Sequence, residues 1–208
     1  MTQTEQPATP AYPQPSAETT AKTQAAAFAQ FRAWATDPRA LVLDTETTGL
    51  KGQAWEIAAG RPGHTRILLD VRGEPETPWT EGALAMQAPD IREQLRGLPH
   101  LRTHVAEVLE LLTLNTPLAY VEAFDRPVIE RTFDLRGLPE FGCVALAYAS
   151  LFPTPRWSTS RGFWKTVKLA EACEAEGIDT TQVRAHSAAG DAWLAGQLIL
   201  AVARRAPA

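Results

Sequence analysis

Asp44 and Glu46 stand two residues apart in the run Leu41-Val-Leu-Asp-Thr-Glu-Thr-Thr-Gly-Leu50. The three apolar residues before them give a short buried-strand signal, and in an extended chain residues two apart point to the same side. A rise of roughly 3.3 Å per residue then sets the two carboxylates about 7 Å apart on one face. Thr45 points the other way. Anions held that close repel unless a positive charge sits between them, and a divalent cation is the simplest candidate. The alternative is an acidic strand end facing water, and these two residues alone do not decide. Just beyond them, Thr47, Thr48 and Gly49 supply small side chains and a turn where a ligand can approach the backbone.

Two further acids stand where a site can form. Asp125 comes just after the apolar stretch Leu118-Ala-Tyr-Val121, where a helix begins, and Asp191 lies in the first turns of the last helix, five residues after His186. Helix N-termini favour anions, so both acids are expected to stay ionised. Singly, each reads as an ordinary helix cap. It is the set of four acids with one histidine that points to chemistry. His64, His100 and His104 sit in a turn or around a helix start and read as surface residues without a catalytic part.

The elements that must position this set can be followed along the chain. Residues 1–23 are rich in Thr, Gln, Ala and Pro with almost no large apolar side chains, so they read as a disordered tail. The remainder, 24–205, reads as one domain. Phe28, Phe31 and Trp34 at i, i+3 spacing predict an amphipathic helix over 24–36, stopped by Asp37-Pro38. The strand carrying Asp44 is followed by two more, 55–59 and 65–71, with hairpin composition between them, which suggests an antiparallel meander. A short helix is expected over 80–86 and a longer one over 100–112, with Leu101, Val105, Val108, Leu109 and Leu112 on one face. A strand at 118–121 leads into a helix with Pro127 in its first turn, where proline is tolerated. Residues 143–151 predict a short buried helix, or a strand start at Val144. A loop over 152–162 precedes a helix over 163–176 that ends at Gly177, and the last helix runs over 187–204.

At 208 residues, 45% apolar and 21% charged, the chain has the make-up of an ordinary soluble globular protein. Its formal charge of −4 gives no global basic footprint, so any nucleic-acid contact must be local or metal-mediated. Cys143 and Cys173 lie in apolar surroundings without CxxC pairing and read as buried thiols in a reducing compartment. No apolar run approaches the roughly 18 residues that a membrane span needs. The N-terminus lacks a signal-peptide pattern, so a cytoplasmic protein with no membrane partner is expected.

Asp-x-Glu-Thr-Thr-Gly on a first strand, Phe124-Asp125 after a later strand, and His186-x-x-x-x-Asp191 into the last helix together resemble the DEDDh 3′–5′ exonucleases, the superfamily of the proofreading epsilon subunit of DNA polymerase III, RNase T and oligoribonuclease. The likeness runs from about residue 41 to 203, and one such motif is weak where the ordered set is specific. Trp164-Lys-Thr-Val-Lys-Leu-Ala-Glu-Ala-Cys173 followed by Gly177-Ile178 looks like the family's helix before its third motif, and Cys143-Val-Ala-Leu-Ala-Tyr148, with Arg161-Gly-Phe-Trp164 further on, is similar to stand-alone bacterial members. Two positions depart from the pattern: Tyr120-Val121-Glu122-Ala123 stands where relatives often carry an Asn, and Met86-Gln87-Ala88 where they often carry Ile-His-Gly.

The resemblance implies an α/β fold of the ribonuclease-H-like kind, with a mixed sheet of about five strands flanked by helices. It implies that Asp44, Glu46, Asp125 and Asp191 hold two Mg²⁺ or Mn²⁺ ions about 4 Å apart, Asp44 bridging, and that His186 deprotonates the attacking water. Oxygen ligands suit these cations, and the lack of a Cys/His cluster argues against zinc. An unperturbed imidazole pKa of about 6.5 suits a general base near neutrality, and activity climbing into mildly alkaline pH is expected. Thr47, Thr48, Gly49, Leu50 and Phe124 would meet the terminal nucleotide. The loop Arg156-Trp157…Arg161-Gly-Phe-Trp164-Lys165 interleaves cations with aromatics; Arg161 and Trp164 could contact a single strand, or the aromatics could merely cover the core. The expected activity is release of nucleoside 5′-monophosphates from single-stranded 3′ ends, DNA slightly ahead of RNA, with a polymerase or repair protein as a possible partner. RNA trimming, and a non-catalytic nucleic-acid-binding or polymerase-associated module, are the rival readings.

Overall fold

Alternation along the first strand divides the molecule into layers. In the computed structural model, which describes residues 11–184 and 186–205, strand β1 runs Ala40–Thr47. Val42 faces a core built with Phe31, Trp34, Tyr148, Leu198 and Ile199. Leu41 and Leu43 face a second core with Ile57, Val108, Leu112, Val128 and Ile129. Each such side chain contributes roughly 1.5–3 kcal/mol on burial, so β1 is anchored from both faces.

Strands β2 (Ala54–Gly60) and β3 (Ile67–Arg72) complete an antiparallel meander with β1. β4 (Thr116–Ala119) and the two-residue β5 (Gly142–Cys143) extend the other edge in parallel, giving the order β3-β2-β1-β4-β5. This is the mixed five-stranded α/β sheet expected of a ribonuclease-H-like fold. Helix α1 (Ala17–Thr36) packs on one face, and the short α2 (Glu81–Ala85) and α3 (Ile91–Leu95) follow the meander. A 3-10 turn, Leu101–His104, runs into α4 (Val105–Leu114), and α4 with α5 (Glu122–Phe133) covers the second face. On the α1 side lie α6 (Val144–Tyr148), α7 (Leu169–Ala175) and the long α8 (Ala188–Arg205), which packs on α1, β1 and β2.

Several sequence expectations need correction. α1 starts at Ala17, so residues 17–23 are helical and not part of a disordered tail; Ser16 caps them, its Oγ accepting from Thr19 N at 3.2 Å, and Lys22 pairs with Glu18 one turn earlier at 2.7 Å. Residues 1–10 of that tail lie outside the described residues. The helix expected over 163–176 begins only at Leu169. Phe163–Trp164 is strand β7, paired with β6 (Trp157–Ser158), because Trp164 and Val167 are buried while Lys165 and Thr166 are not. Pro127 lies past the first turn of α5, which starts at Glu122. His100 is half-buried, its Nδ1 capping the 3-10 turn by accepting from Arg102 N at 3.0 Å. Both cysteines are free thiols.

Candidate metal and nuclease site

The same alternation that builds the cores sorts the acids. Asp44 and Glu46 share the α8 face with Val42, and Thr45 shares the α5 face with Leu41 and Leu43. α8 brings Asp191 to the first face from its opening turn. α5 brings Asp125 to the second, just past the end of β4. There Thr45 Oγ1 donates to Asp125 Oδ1 at 2.8 Å, and the Thr45 backbone N–H adds a second bond. Thr45 was expected only to point away from Asp44 and Glu46; it does so and holds Asp125 in place.

Three groups converge most closely. A ligand atom from each of Glu46, His186 and Asp191 lies within 4.8 Å of the others. His186 is exposed and adopts φ 55°, a left-handed conformation in which histidine is enriched, so the chain turns sharply into α8 and brings the imidazole back to the acids. Ser187 Oγ accepts from Gly190 N at 3.2 Å and Ser187 O accepts from Asp191 N at 2.9 Å, fixing that first turn.

Asp44 and Asp125 stand close enough to raise each other's charging cost. Burial, followed by the charges of Asp125, Asp191, Glu46 and Glu56, pushes Asp44 well above the usual carboxylate range. Burial likewise pushes Asp125 up to about 7 against the pull of the Thr45 bonds. Glu46 rises to about 8, through burial and then the charges of Asp191 and Glu56, despite a 2.7 Å hydrogen bond from Gln87 Nε2. Burial also raises Asp191, and His186 opposes the rise. Helix N-termini were expected to keep Asp125 and Asp191 readily ionised; burial works against that at both, and pushes Asp125 up to about 7. Among the described residues, no lysine or arginine pairs with these four acids.

A dense set of desolvated carboxylates without a cationic side chain is what a hard divalent cation would neutralise. The donor set, four acids with one imidazole beside them, fits Mg²⁺ or Mn²⁺ by its chemistry. Gln87 and Glu56 escaped the sequence reading as part of this environment. Gln87 Oε1 is buried without a hydrogen-bond partner.

The turn after β1 is tightly tied. Gly49 has φ 152°, and a Cβ there would lie 2.6 Å from Thr80 Cγ2, so glycine is needed. Thr48 N donates to Gln53 O at 3.1 Å, Thr80 N to Thr48 O at 2.8 Å, and Thr48 Oγ1 meets Thr77 Oγ1 at 2.8 Å. Thr47 Oγ1 pairs with Gly49 O at 3.2 Å. These bonds hold out Leu50, which is 83% exposed. Phe124 is half-buried against the α4–α5 core.

The aromatic loop has a different setting. Trp164 is buried, edge-on to Trp157 with ring centroids 5.2 Å apart. Tyr12 N donates to Thr159 O at 2.6 Å and Trp157 Nε1 to Tyr12 O at 3.3 Å, so the segment before α1 lies on this hairpin. Trp164 is thus packed within this hairpin, while Arg161 is exposed.

No family model matches the sequence, and no curated protein matches it. Solved structures do match the fold. Exonuclease X in complex with 5′ overhanging duplex DNA is 18% identical, with 79% of this chain and 91% of that chain covered and a TM-score of 0.57. At that identity the likeness shows a shared architecture, and the architecture is that of an exonuclease fold.

Proposed function

We propose that this chain is a metal-dependent 3′–5′ exonuclease of the DEDDh kind, acting on single-stranded ends and releasing nucleoside 5′-monophosphates. The observation that carries the reading is the meeting of Glu46, His186 and Asp191 within 4.8 Å, with Asp44 and Asp125 coupled to them through charge. A chain that only binds nucleic acid has no use for four desolvated acids beside an exposed imidazole. That exonuclease X shares the fold and was solved on DNA supports DNA as the first substrate to try.

Asp44, Glu46, Asp125 and Asp191 would hold two divalent cations. Such ions supply Lewis-acid stabilisation of the charge that develops on a phosphoryl group under attack. The remaining work falls to this chain's own groups. His186, exposed enough to meet a water, takes the proton from its oxygen, and Asp191 beside it favours the imidazolium that results. Gln87 steadies Glu46, and Thr45 steadies Asp125. The tied turn at Thr47, Thr48 and Gly49 offers a rigid seat for a terminal nucleotide, and Leu50 presents an apolar surface to its base. Arg161, which is exposed, would meet a phosphate farther along the strand.

The reading is tested by incubating single-stranded DNA and RNA oligonucleotides of one sequence with the protein and Mg²⁺ or Mn²⁺, then separating the products by chromatography. Nucleoside 5′-monophosphates from wild type, lost with His186→Ala, are expected, and the faster strand names the substrate. Oligonucleotides that bind but stay intact under both metals would replace the enzyme with a binding module.

A further inference from the structure

Glu56 is a carboxylate where the sheet calls for an apolar residue. It lies in the middle of β2, 1% exposed, between Trp55 and Ile57, both equally buried. The sheet register lines up Glu46, Glu56 and Arg72 across β1, β2 and β3, so their side chains share the face that α8 covers. Arg72 grips one oxygen: its Nε and Nη2 reach Glu56 Oε1 at 2.8 and 2.7 Å. The other oxygen, Oε2, accepts from the backbone N–H of Ala188 at 3.1 Å. Ala188 is the first residue of α8, two after His186 and three before Asp191.

We infer that Glu56 is a positioning residue, which ties the first turn of α8 to the central sheet and thereby sets where His186 and Asp191 stand against Glu46. The energetics favour a purpose beyond stability. A buried ion pair seldom stabilises a fold more than an apolar pair of the same volume, and β2 already holds its sheet through five buried apolar residues. The opening N–H groups of a helix have no partners within it, and Glu56 takes the one nearest the site residues. Arg72 offsets the charge of Glu56 and none of the charge of the four site acids. The row Glu46–Glu56–Arg72 therefore gives α8 a fixed docking point and leaves the negative field of the acids intact for a cation.

This inference rests on the exonuclease reading for its kinetic consequence, and its structural consequence can be read without it. The variant Glu56→Gln keeps the volume and one acceptor but loses the charge that grips Arg72. On the full chain, kcat for a single-stranded oligonucleotide is expected to fall roughly 10- to 100-fold with KM nearly unchanged, and Mg²⁺ affinity by calorimetry to weaken by a similar factor. Backbone amide exchange over 187–191 should speed up while the core of β1 stays protected. A folded Glu56→Gln with wild-type kcat, Mg²⁺ affinity and amide protection would overturn the inference. Should that variant fail to fold, Arg72→Lys, which keeps the charge and loses the two-pronged grip, is measured instead. A lowered kcat with a native circular dichroism spectrum supports the inference, and an unchanged kcat overturns it. An inactive wild type would remove the exonuclease reading alone, and Mg²⁺ affinity with amide exchange would then decide on Glu56.

Discussion

Raising the pH of the metal-free protein loads charge onto the acid cluster and should destabilise the fold. Burial lifts Glu46 to about 8 and Asp125 to about 7, whereas both sit near 4 in an unfolded chain. Across that window the folded state holds protons that the unfolded state has released. The stabilisation from this source is complete below about pH 4 and is lost as the pH climbs through 7 and 8. For Glu46 the rise from 4.5 to about 8, at roughly 1.4 kcal/mol per pH unit, sets a ceiling near 5 kcal/mol. Water reaches this half-buried group and screens it, so about 2 kcal/mol is expected in practice. For a chain of this size roughly 2–4 °C accompanies each kcal/mol, hence a fall in Tm of about 4–8 °C between pH 5 and 8.5. Asp37 and Asp179, held below the usual range mainly by hydrogen bonds from Thr116 and Thr181, act in the opposite sense but titrate below this window. Calorimetric melts in chelator, repeated with Mg²⁺, test the reasoning. Mg²⁺ should restore Tm most at high pH, where the carboxylates are free to take it, and Glu46→Gln should flatten the slope in chelator. A Tm that is flat or rises with pH in chelator, or a slope unchanged in Glu46→Gln, would refute it.

Other outcomes follow from the same contacts. Thr45→Val leaves the buried Asp125 carboxylate short of a 2.8 Å donor; a loss of about 1–3 kcal/mol, or roughly 5- to 100-fold in kcat, is expected in a steady-state assay. Gly49→Ala forces a side chain onto Thr80 at φ 152°. It should cost roughly 1–3 kcal/mol in a urea melt and, with the turn as the proposed seat for the terminal nucleotide, raise KM more than it lowers kcat. Gln87→Leu removes the hydrogen bond that holds Glu46 down, so the pH midpoint for Mg²⁺ binding should move up by roughly 0.5–1 unit in a calorimetric titration.

Much of this arrangement is legible in the chain itself. The period-two spacing of Asp44 and Glu46 fixes their common face, and the apolar run before them marks the strand. His186 and Asp191 are legible as the opening of an apolar-striped helix. What escapes the sequence is whatever depends on register or on partners far along the chain. Glu56 looks like a stray acid until the antiparallel register sets it between Glu46 and Arg72. Thr45 comes to hold Asp125 only because α5 delivers that acid to the far side of β1. The segment 164–168 has helical company on its C-terminal side, yet burial of Trp164 and Val167 and the bond from Tyr120 Oη to Val167 O at 2.7 Å keep it extended. Residues 17–23 lack large apolar groups, but the Ser16 cap and the Glu18–Lys22 pair begin α1 there all the same.

The central claim is polarity of cleavage at a site made of these acids. One single-stranded DNA oligonucleotide is labelled at its 5′ end in one sample and at its 3′ end in another, then followed on a gel with Mg²⁺ or chelator, for wild type and Asp44→Asn. A 3′–5′ exonuclease at this site gives a descending ladder from the 5′-labelled strand, immediate release of labelled mononucleotide from the 3′-labelled strand, and neither in chelator or with Asp44→Asn. A ladder from the 3′-labelled strand, or cleavage that survives chelator and Asp44→Asn, would contradict it.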